Sequence, residues 1–305
     1  MKFHGIDWIG RYETMSNHLF YGACTALVTP FLNNEVNYPM LEQLLKRQMD
    51  AGIHAVVISG TTGEAPTLSD EEKITLFSRA KDYVKDQCLI IAGTGSNNTE
   101  HAVRLSIAAE QTGVDALLVV SPYYNKATPE GLYHHYRAIA EAVHIPIIMY
   151  NVPSRTGLDI PVSIYKRLSE IPNIVGVKEA STDIVKVARI REICPPDFTV
   201  WSGNDDQTVA AMALGAQGVI SVLSNVAPLE TQAMAMAALS GDFDTAAALQ
   251  IKLLPLINAL FCEVNPVPVK AAMQHIGYDC GSCRLPLGML SEENNKLLKK
   301  ILSSF

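Results

Sequence analysis

Long hydrophobic runs are absent from this sequence. Its apolar runs, such as Leu117 to Val120 and Ile145 to Met149, have the length of β-strands, whereas a membrane-spanning helix needs roughly 20 apolar residues. Positive charge is also scarce: 24 Lys and Arg against 31 Asp and Glu give a net charge of -7, with no local basic cluster. We therefore expect no membrane segment and no nucleic-acid partner.

Cysteine is sparse as well. Six cysteines are scattered over 305 residues without the density of a disulfide framework, which favours a reducing, cytoplasmic location. Cys280 and Cys283 form one C-x-x-C pair, and no second pair follows. Two interpretations stay open for it: a redox or zinc site, or two ordinary thiols in a C-terminal loop.

The common cofactor and metal motifs are missing. Gly93-Thr94-Gly95 lacks the third glycine of a dinucleotide fingerprint, and no Walker sequence occurs. His134 and His135 are adjacent and would point to different faces of a helix, so they do not form a metal pair. We predict no cofactor and no catalytic metal.

At the N-terminus, Met1 to Thr14 carries charges and aromatics but no apolar core of a secretory signal. We interpret residues 1–18 as an extension of unknown role, with Met15 as a candidate start.

From about Tyr21 to about Ser240, short β-branched apolar runs alternate with longer amphipathic segments, which is the pattern of a parallel sheet. Eight runs have the length of strands, and eight βα units favour a closed (β/α)8 barrel over an open sheet. The predicted strands are Ala23–Val28, Ala55–Ile58, Leu89–Ala92, Ala116–Val120, Ile147–Tyr150, Ile174–Val177, Phe198–Trp201 and Gly218–Ser221.

Helical patterns separate these strands and fill the C-terminal region, which is rich in Ala and Leu. We predict an α/β protein with a (β/α)8 barrel at residues 19–240 and a helical appendage at 241–305. The predicted barrel helices include Tyr38–Ala51, Asp70–Val84, Thr99–Gln111, Glu130–Ala142, Val162–Leu168, Asp183–Glu192 and Asp205–Leu214.

Active sites of such barrels lie at the C-terminal ends of the strands, and Lys178 directly follows the sixth predicted strand. Lysine is rare in a buried strand, and burial favours the neutral amine that attacks a carbonyl. The alternative is an ion-paired or strand-end lysine, and spacing alone does not decide. Tyr150 closes the preceding strand, so we expect it beside Lys178, either as a proton relay or as packing.

Other candidates bear on substrate binding. Thr61 and Thr62 lie between glycines, which exposes hydroxyl and N–H groups to a small carboxylate, although such residues also simply make turns. Arg155 lies in a predicted loop after a proline and could hold a carboxylate with two hydrogen bonds. A surface arginine would look the same.

Four motifs occur in a fixed order: Gly60-Thr61-Thr62-Gly63-Glu64, Pro122-Tyr123-Tyr124-Asn125, Tyr150 to Gly157, and Gly176-Val177-Lys178-Glu179. Together they resemble the dihydrodipicolinate synthase family, within the wider group that contains N-acetylneuraminate lyase, from about Tyr21 to the C-terminus. The resemblance implies condensation of pyruvate with L-aspartate 4-semialdehyde to 4-hydroxy-tetrahydrodipicolinate, the first committed step of lysine and diaminopimelate biosynthesis.

The same resemblance implies roles for individual residues. Lys178 would form an imine with pyruvate, which supplies an electron sink. Thr61 and Tyr150 would relay protons together with Tyr124, which in this family reaches into the neighbouring subunit's site. The implied assembly is a homotetramer, a dimer of dimers.

Substrate contacts are implied at four further positions. Thr62 would hold the pyruvate carboxylate and Arg155 the carboxylate of the second substrate, while the backbone of Gly203 and Ile220 would face the pyruvate. Arg155 favours the synthase over the sialic acid lyases, which lack that arginine. Two alternatives stay open: an aldolase or lyase acting on a 2-keto-3-deoxy sugar acid, and a non-catalytic barrel that binds pyruvate.

Feedback inhibition by lysine is expected to be weak or absent. A cation at Lys73 should repel a lysine ligand, and Lys73 and His101 both depart from the residues that the resemblance leads us to expect. The positions that bind the inhibitor in sensitive members of the family correspond to Ala65, Pro66, Asp70, Lys73, Asn97, His101 and Tyr123.

Overall fold

The computed structural model describes residues 18–305. Residues 1–17, which hold nearly all of the predicted N-terminal extension, lie outside the described residues. The predicted divisions at residues 18 and 240 stay predictions.

Eight parallel strands close into a barrel, as the sequence predicts, in the cyclic order β1, β4, β5, β6, β7, β8, β9, β10. An antiparallel pair, β2 with β3, follows the first barrel strand and was not predicted. The strands are β1 (Gly22–Ala26), β2 (Phe31–Leu32), β3 (Glu35–Val36), β4 (Ala55–Ile58), β5 (Leu89–Gly93), β6 (Ala116–Val120), β7 (Ile147–Asn151), β8 (Ile174–Glu179), β9 (Thr199–Ser202) and β10 (Gly218–Ser221).

Helices surround the barrel and continue beyond it. A capping box begins the helix that follows Ser69: the Ser69 side chain accepts from the Glu72 N–H, and the Glu72 carboxylate accepts from the Ser69 N–H. The helices are α1 (Tyr38–Asp50), α2 (Asp70–Val84), α3 (Thr99–Gln111), α4 (Pro129–Ala142), α5 (Pro153–Thr156), α6 (Val162–Leu168), α7 (Val185–Ile193), α8 (Thr208–Ala213), α9 (Pro228–Leu239), α10 (Phe243–Leu260), α11 (Val267–His275) and α12 (Glu292–Ser303).

Alternation along the strands creates two separate cores. Successive strand residues point to opposite faces, so Val57 packs inside the barrel while Val56 and Ile58 pack against the helices. The inner core also holds Ile148 and Trp201. The strands are apolar on both faces for this reason, as expected of a parallel sheet.

Several predicted boundaries are wrong by one to three residues. The strand β1 ends at Ala26 rather than at Val28. The seventh predicted strand, Phe198–Trp201, is β9 and runs Thr199–Ser202. The sixth predicted strand, Ile174–Val177, is β8 and extends to Glu179, because buried polar residues continue its ladder. The predicted helix Asp205–Leu214 is split into a 3-10 turn and α8.

The C-terminal region is tied to the barrel by a buried ion pair. Lys270 Nζ of α11 lies 2.8 Å from Glu64 Oε1, and the N–H of Arg284 donates to Glu64 Oε2 at 2.8 Å. Both Lys270 and Glu64 are almost fully buried. The loop that begins at Ser59 and contains Glu64 is therefore fixed by the C-terminal region.

The C-x-x-C pair lies beside this ion pair as two free thiols. Burial raises the pKa of both Cys280 and Cys283 to about 12, so neither is a thiolate at neutral pH. This favours the interpretation of two ordinary thiols. Within residues 18–305, no helix is long and apolar enough to cross a membrane.

Candidate active site

Lys178 lies inside the barrel on β8. Its side chain is 5% exposed, and Nζ is 4.5 Å from the centroid of the Tyr150 ring. The two residues are register partners on β7 and β8, which confirms that Tyr150 lies beside Lys178. Among residues 18–305, no carboxylate oxygen approaches Lys178 Nζ within 4.0 Å. The ion-paired alternative for this lysine is therefore not what the structure shows.

The charge of Lys178 acts on one buried carboxylate, that of Asp205. Asp205 follows β9, and its Oδ2 accepts from the N–H groups of Val222 and Leu223 at 2.9 and 3.0 Å. Burial raises the pKa of Asp205, while a hydrogen bond to Ser221, these backbone donors and the charge of Lys178 oppose the rise. Asp205 thus interacts electrostatically with Lys178 without forming an ion pair within 4.0 Å.

Room for the lysine comes from Gly203. A Cβ added at Gly203 would lie 2.5 Å from Ala180 Cβ and 3.1 Å from Lys178 Cε, so a larger residue would displace the amine. The Gly203 N–H donates to the Glu179 carbonyl at 2.7 Å. Ile220, on β10, is fully buried in the inner core.

The loop after β4 carries Thr61 and Thr62. Its first residue, Ser59, has a φ of 57°, a left-handed conformation that turns the chain sharply at the strand end. Thr62 is buried, and its Oγ1 accepts from Asn265 Nδ2 at 2.9 Å. The Thr62 hydroxyl is therefore held by a residue 203 positions further along the chain.

Arg155 lies in the one-turn helix α5 rather than in the predicted loop. Pro153 occupies the first turn, where its missing N–H is not needed. The guanidinium is exposed, and Nη2 donates to the carbonyl of Asn265 at 3.2 Å. That single contact leaves most of its donors free for a ligand.

A cavity of about 290 Å³ brings part of the predicted site together. Thr61, Tyr150 and Arg155 line it, together with Lys73, His101 and Tyr123. Lys178 adjoins this cavity through its contact with Tyr150. The cavity is large enough for small carboxylate substrates, and several of the predicted inhibitor positions line it.

Tyr124 is not brought into the site within one chain. Its side chain is 89% exposed, and its φ is 70°. A left-handed backbone is uncommon for a bulky residue, which marks this turn as strained. The ring is left almost fully exposed on its own chain.

Three of the predicted inhibitor positions, Asp70, Lys73 and His101, form an ionic cluster. Asp70 Oδ2 lies 2.8 Å from His101 Nε2, and Asp70 Oδ1 lies 3.6 Å from Lys73 Nζ. Burial alone would raise the pKa of Asp70, but His101 and Lys73 together outweigh it and lower the pKa. The carboxylate is thus already paired with groups of this chain.

Sequence reasoning missed Asn265 and gave Asp205 no role. The signal for Asn265 in the sequence is the Asn265-Pro266-Val267-Pro268 run, which breaks the helical pattern of the C-terminal region. Among residues 18–305, no group of three or more His, Cys, Asp or Glu side chains is arranged to hold a metal ion.

The closed (β/α)8 barrel carries a buried, unpaired lysine on a strand, and hydroxyl and guanidinium groups lie at the C-terminal rim. This arrangement is that of a barrel enzyme acting on small carbonyl or carboxylate compounds. Residues 19–305 match the model of the dihydrodipicolinate synthetase family. The chain belongs to this family.

Named relatives agree with that assignment. A 4-hydroxy-tetrahydrodipicolinate synthase of Acetivibrio thermocellus is 48% identical over 291 residues, covering 95% of this chain and 99% of the relative. The structure of dihydrodipicolinate synthase from Aquifex aeolicus superposes with a TM-score of 0.92 at 43% identity, over 93% of this chain and 98% of that one. A first monomeric dihydrodipicolinate synthase variant superposes equally well, with a TM-score of 0.92 at 42% identity, over 93% and 96%.

Proposed function

We propose that the chain condenses pyruvate with L-aspartate 4-semialdehyde to 4-hydroxy-tetrahydrodipicolinate through an imine on Lys178. The activity is that of the family and of its named relatives, and it is the first committed step of lysine and diaminopimelate biosynthesis. The observation that carries the imine is the buried amine of Lys178 beside Tyr150, with no carboxylate of residues 18–305 within 4.0 Å.

The chemistry follows from that amine. The neutral amine attacks the ketone carbon of pyruvate, and loss of water leaves an imine. Loss of a methyl proton gives an enamine, because the imine nitrogen accepts the electron pair. The enamine carbon attacks the aldehyde, and the amino group of the second substrate then displaces Lys178 as the ring closes.

Proton transfers need hydroxyl groups near the imine. Tyr150 and Thr61 share the cavity and relay these protons, together with Tyr124 of a neighbouring subunit. The exposure of Tyr124 supports this delivery from another subunit. One relative is described as the first monomeric variant, which supports an oligomeric state for other members of the family. The assembly that we propose is a homotetramer, a dimer of dimers.

Substrate carboxylates are held by two residues. Thr62 binds the pyruvate carboxylate, and Arg155 binds that of the semialdehyde, while the backbone at Gly203 and Ile220 faces the pyruvate. The electron sink is the imine itself, so the reaction uses neither an organic cofactor nor a metal. We place the enzyme in the cytoplasm, where both substrates and reduced thiols are found.

The test is an aldehyde panel. Purified protein is supplied with pyruvate and, in turn, L-aspartate 4-semialdehyde, N-acetylmannosamine and short sugar aldehydes, and pyruvate consumption is followed. We expect turnover with the semialdehyde to be at least tenfold faster than with the sugar aldehydes. A guanidinium that binds the carboxylate of the semialdehyde stabilises the complex by about 1.5–3 kcal/mol. Preferred turnover of a sugar aldehyde would instead make the chain a sugar-acid aldolase.

A further inference from the structure

We propose that Asn265 is a positioning residue that directs the hydroxyl proton of Thr62 towards the substrate and thereby sets the affinity for pyruvate. The inference rests on the proposed function, in which Thr62 binds the pyruvate carboxylate. Asn265 belongs to the C-terminal region, just before α11, and forms hydrogen bonds with Thr62 and Arg155.

The hydrogen bond between Asn265 and Thr62 has a defined direction. Asn265 Nδ2 donates to Thr62 Oγ1 at 2.9 Å, and both side chains are buried. A hydroxyl has one proton and two lone pairs. Because the amide occupies a lone pair, the proton stays free, and no acceptor for it lies within hydrogen-bonding distance among residues 18–305. A carboxylate is the partner that such a free donor suits.

The amide has a cost that packing alone does not explain. Asn265 Oδ1 is buried and has no hydrogen-bond partner among the described residues. An unsatisfied buried acceptor destabilises a fold, and an apolar side chain of similar size would avoid that cost. The retained amide is explained if its donor is needed at Thr62.

The main chain of Asn265 serves the second substrate. Its carbonyl accepts from Arg155 Nη2 at 3.2 Å, and a side-chain substitution leaves that contact in place. The loop itself stays anchored, because Glu64 is held by Lys270 and by the N–H of Arg284. Changing the amide should therefore alter pyruvate binding and spare the semialdehyde.

Two substitutions test this polarity. Asn265→Asp replaces the donor with a group that only accepts, so the Thr62 proton turns away from the substrate. Asn265→Ala removes the donor without adding charge, which separates polarity from repulsion. We expect the KM for pyruvate to rise about tenfold or more in Asn265→Asp and several-fold in Asn265→Ala, with the KM for the semialdehyde near that of the parent.

A double-mutant cycle shows whether the effect passes through Thr62. Once Thr62→Val has removed the hydroxyl, adding Asn265→Ala should raise the pyruvate KM no further. The matched control is Asn295→Asp on the exposed face of α12, where Oδ1 contacts His275 Nε2 at 2.7 Å. It makes the same chemical change and should leave the pyruvate KM unchanged.

Steady-state kinetics and thermal midpoints are measured for all variants, and borohydride trapping of pyruvate is measured on the parent. An unchanged pyruvate KM in both Asn265 variants, full additivity with Thr62→Val, or a joint rise of both KM values with a lowered midpoint would overturn the inference. If the parent traps pyruvate on Lys178 while such a result appears, only the role of Asn265 fails. If the parent traps none, the proposed function itself fails. The expected selective, non-additive loss of pyruvate affinity would establish the positioning role.

Discussion

Two buried lysines, Lys178 and Lys270, stand in opposite electrostatic situations. Both lie over an aromatic ring, Tyr150 at 4.5 Å and Phe31 at 4.3 Å. Lys270 also contacts the buried Glu64 carboxylate at 2.8 Å, whereas no carboxylate of residues 18–305 lies within 4.0 Å of Lys178 Nζ. A carboxylate partner favours the charged, unreactive ammonium. Burial therefore marks both residues, but pairing separates the structural lysine from the candidate nucleophile.

The same substitution at the two positions should give opposite results. Lys178→Met removes the nucleophile, and we expect kcat to fall by at least about 10³-fold. The free energy of unfolding should change little, since no ion pair is broken. Steady-state assay and urea unfolding measure the two effects. A fully active Lys178→Met enzyme would show that Lys178 is not the nucleophile.

Lys270→Met should instead destabilise the fold. It leaves the Glu64 carboxylate buried and unpaired, which costs about 3–5 kcal/mol, and urea unfolding measures the loss. Adding Glu64→Gln should recover part of it, because the orphaned charge is removed. The exposed pair of Lys46 and Asp50 supplies the control: Lys46→Met should leave the unfolding midpoint almost unchanged. Parent-like stability of Lys270→Met would show that this ion pair is not structural.

Tyr150→Phe sharpens the comparison at the active lysine. The ring beneath the amine is kept and only the hydroxyl is lost, so kcat should fall about 10²-fold while pyruvate is still trapped slowly. Tyr136→Phe is the matched control, because the buried Tyr136 hydroxyl donates to the Val119 carbonyl at 3.1 Å and does not line the cavity. That variant should lose some stability and keep its kcat. Equal effects of the two variants on kcat would contradict a relay role for Tyr150.

A third lysine predicts the smallest effect. Lys73 lies beside Asp70 and lines the cavity, and its charge should repel added lysine. We expect no inhibition of the enzyme by micromolar lysine in a titration at fixed substrate. Strong inhibition in that range would show that the cluster of Asp70, Lys73 and His101 rearranges to accept a cation.

The barrel could be predicted because its signals are local. Each of the eight β-branched apolar runs and each amphipathic segment between them is a signal within one short stretch of sequence, and the closed barrel and the family are confirmed. Strand ends are harder to predict. The predicted sixth strand stops at Val177, before the polar residues, yet Glu179 continues the ladder, and its carboxylate accepts from Tyr165 on the outer face. Polarity resembles a strand end unless the partner residue is known.

Contacts between distant segments could not be predicted. Asn265 reaches Thr62 across 203 residues, and Lys270 reaches Glu64 across 206, and no local pattern encodes either pair. The predicted proximity of Tyr150 and Lys178 is confirmed, since parallel strands in register bring their ends together. The catalytic and substrate-binding roles, the domain divisions and the absence of cofactor and metal stay predictions.

Whether Lys178 forms the imine is tested by borohydride reduction of the protein with pyruvate, followed by intact mass measurement and peptide mapping. We predict one pyruvate-sized adduct on Lys178, present in Lys270→Met kept under folding conditions and absent from Lys178→Met. No adduct on the parent protein, or an adduct on Lys270, would contradict the assignment of Lys178 as the imine-forming residue.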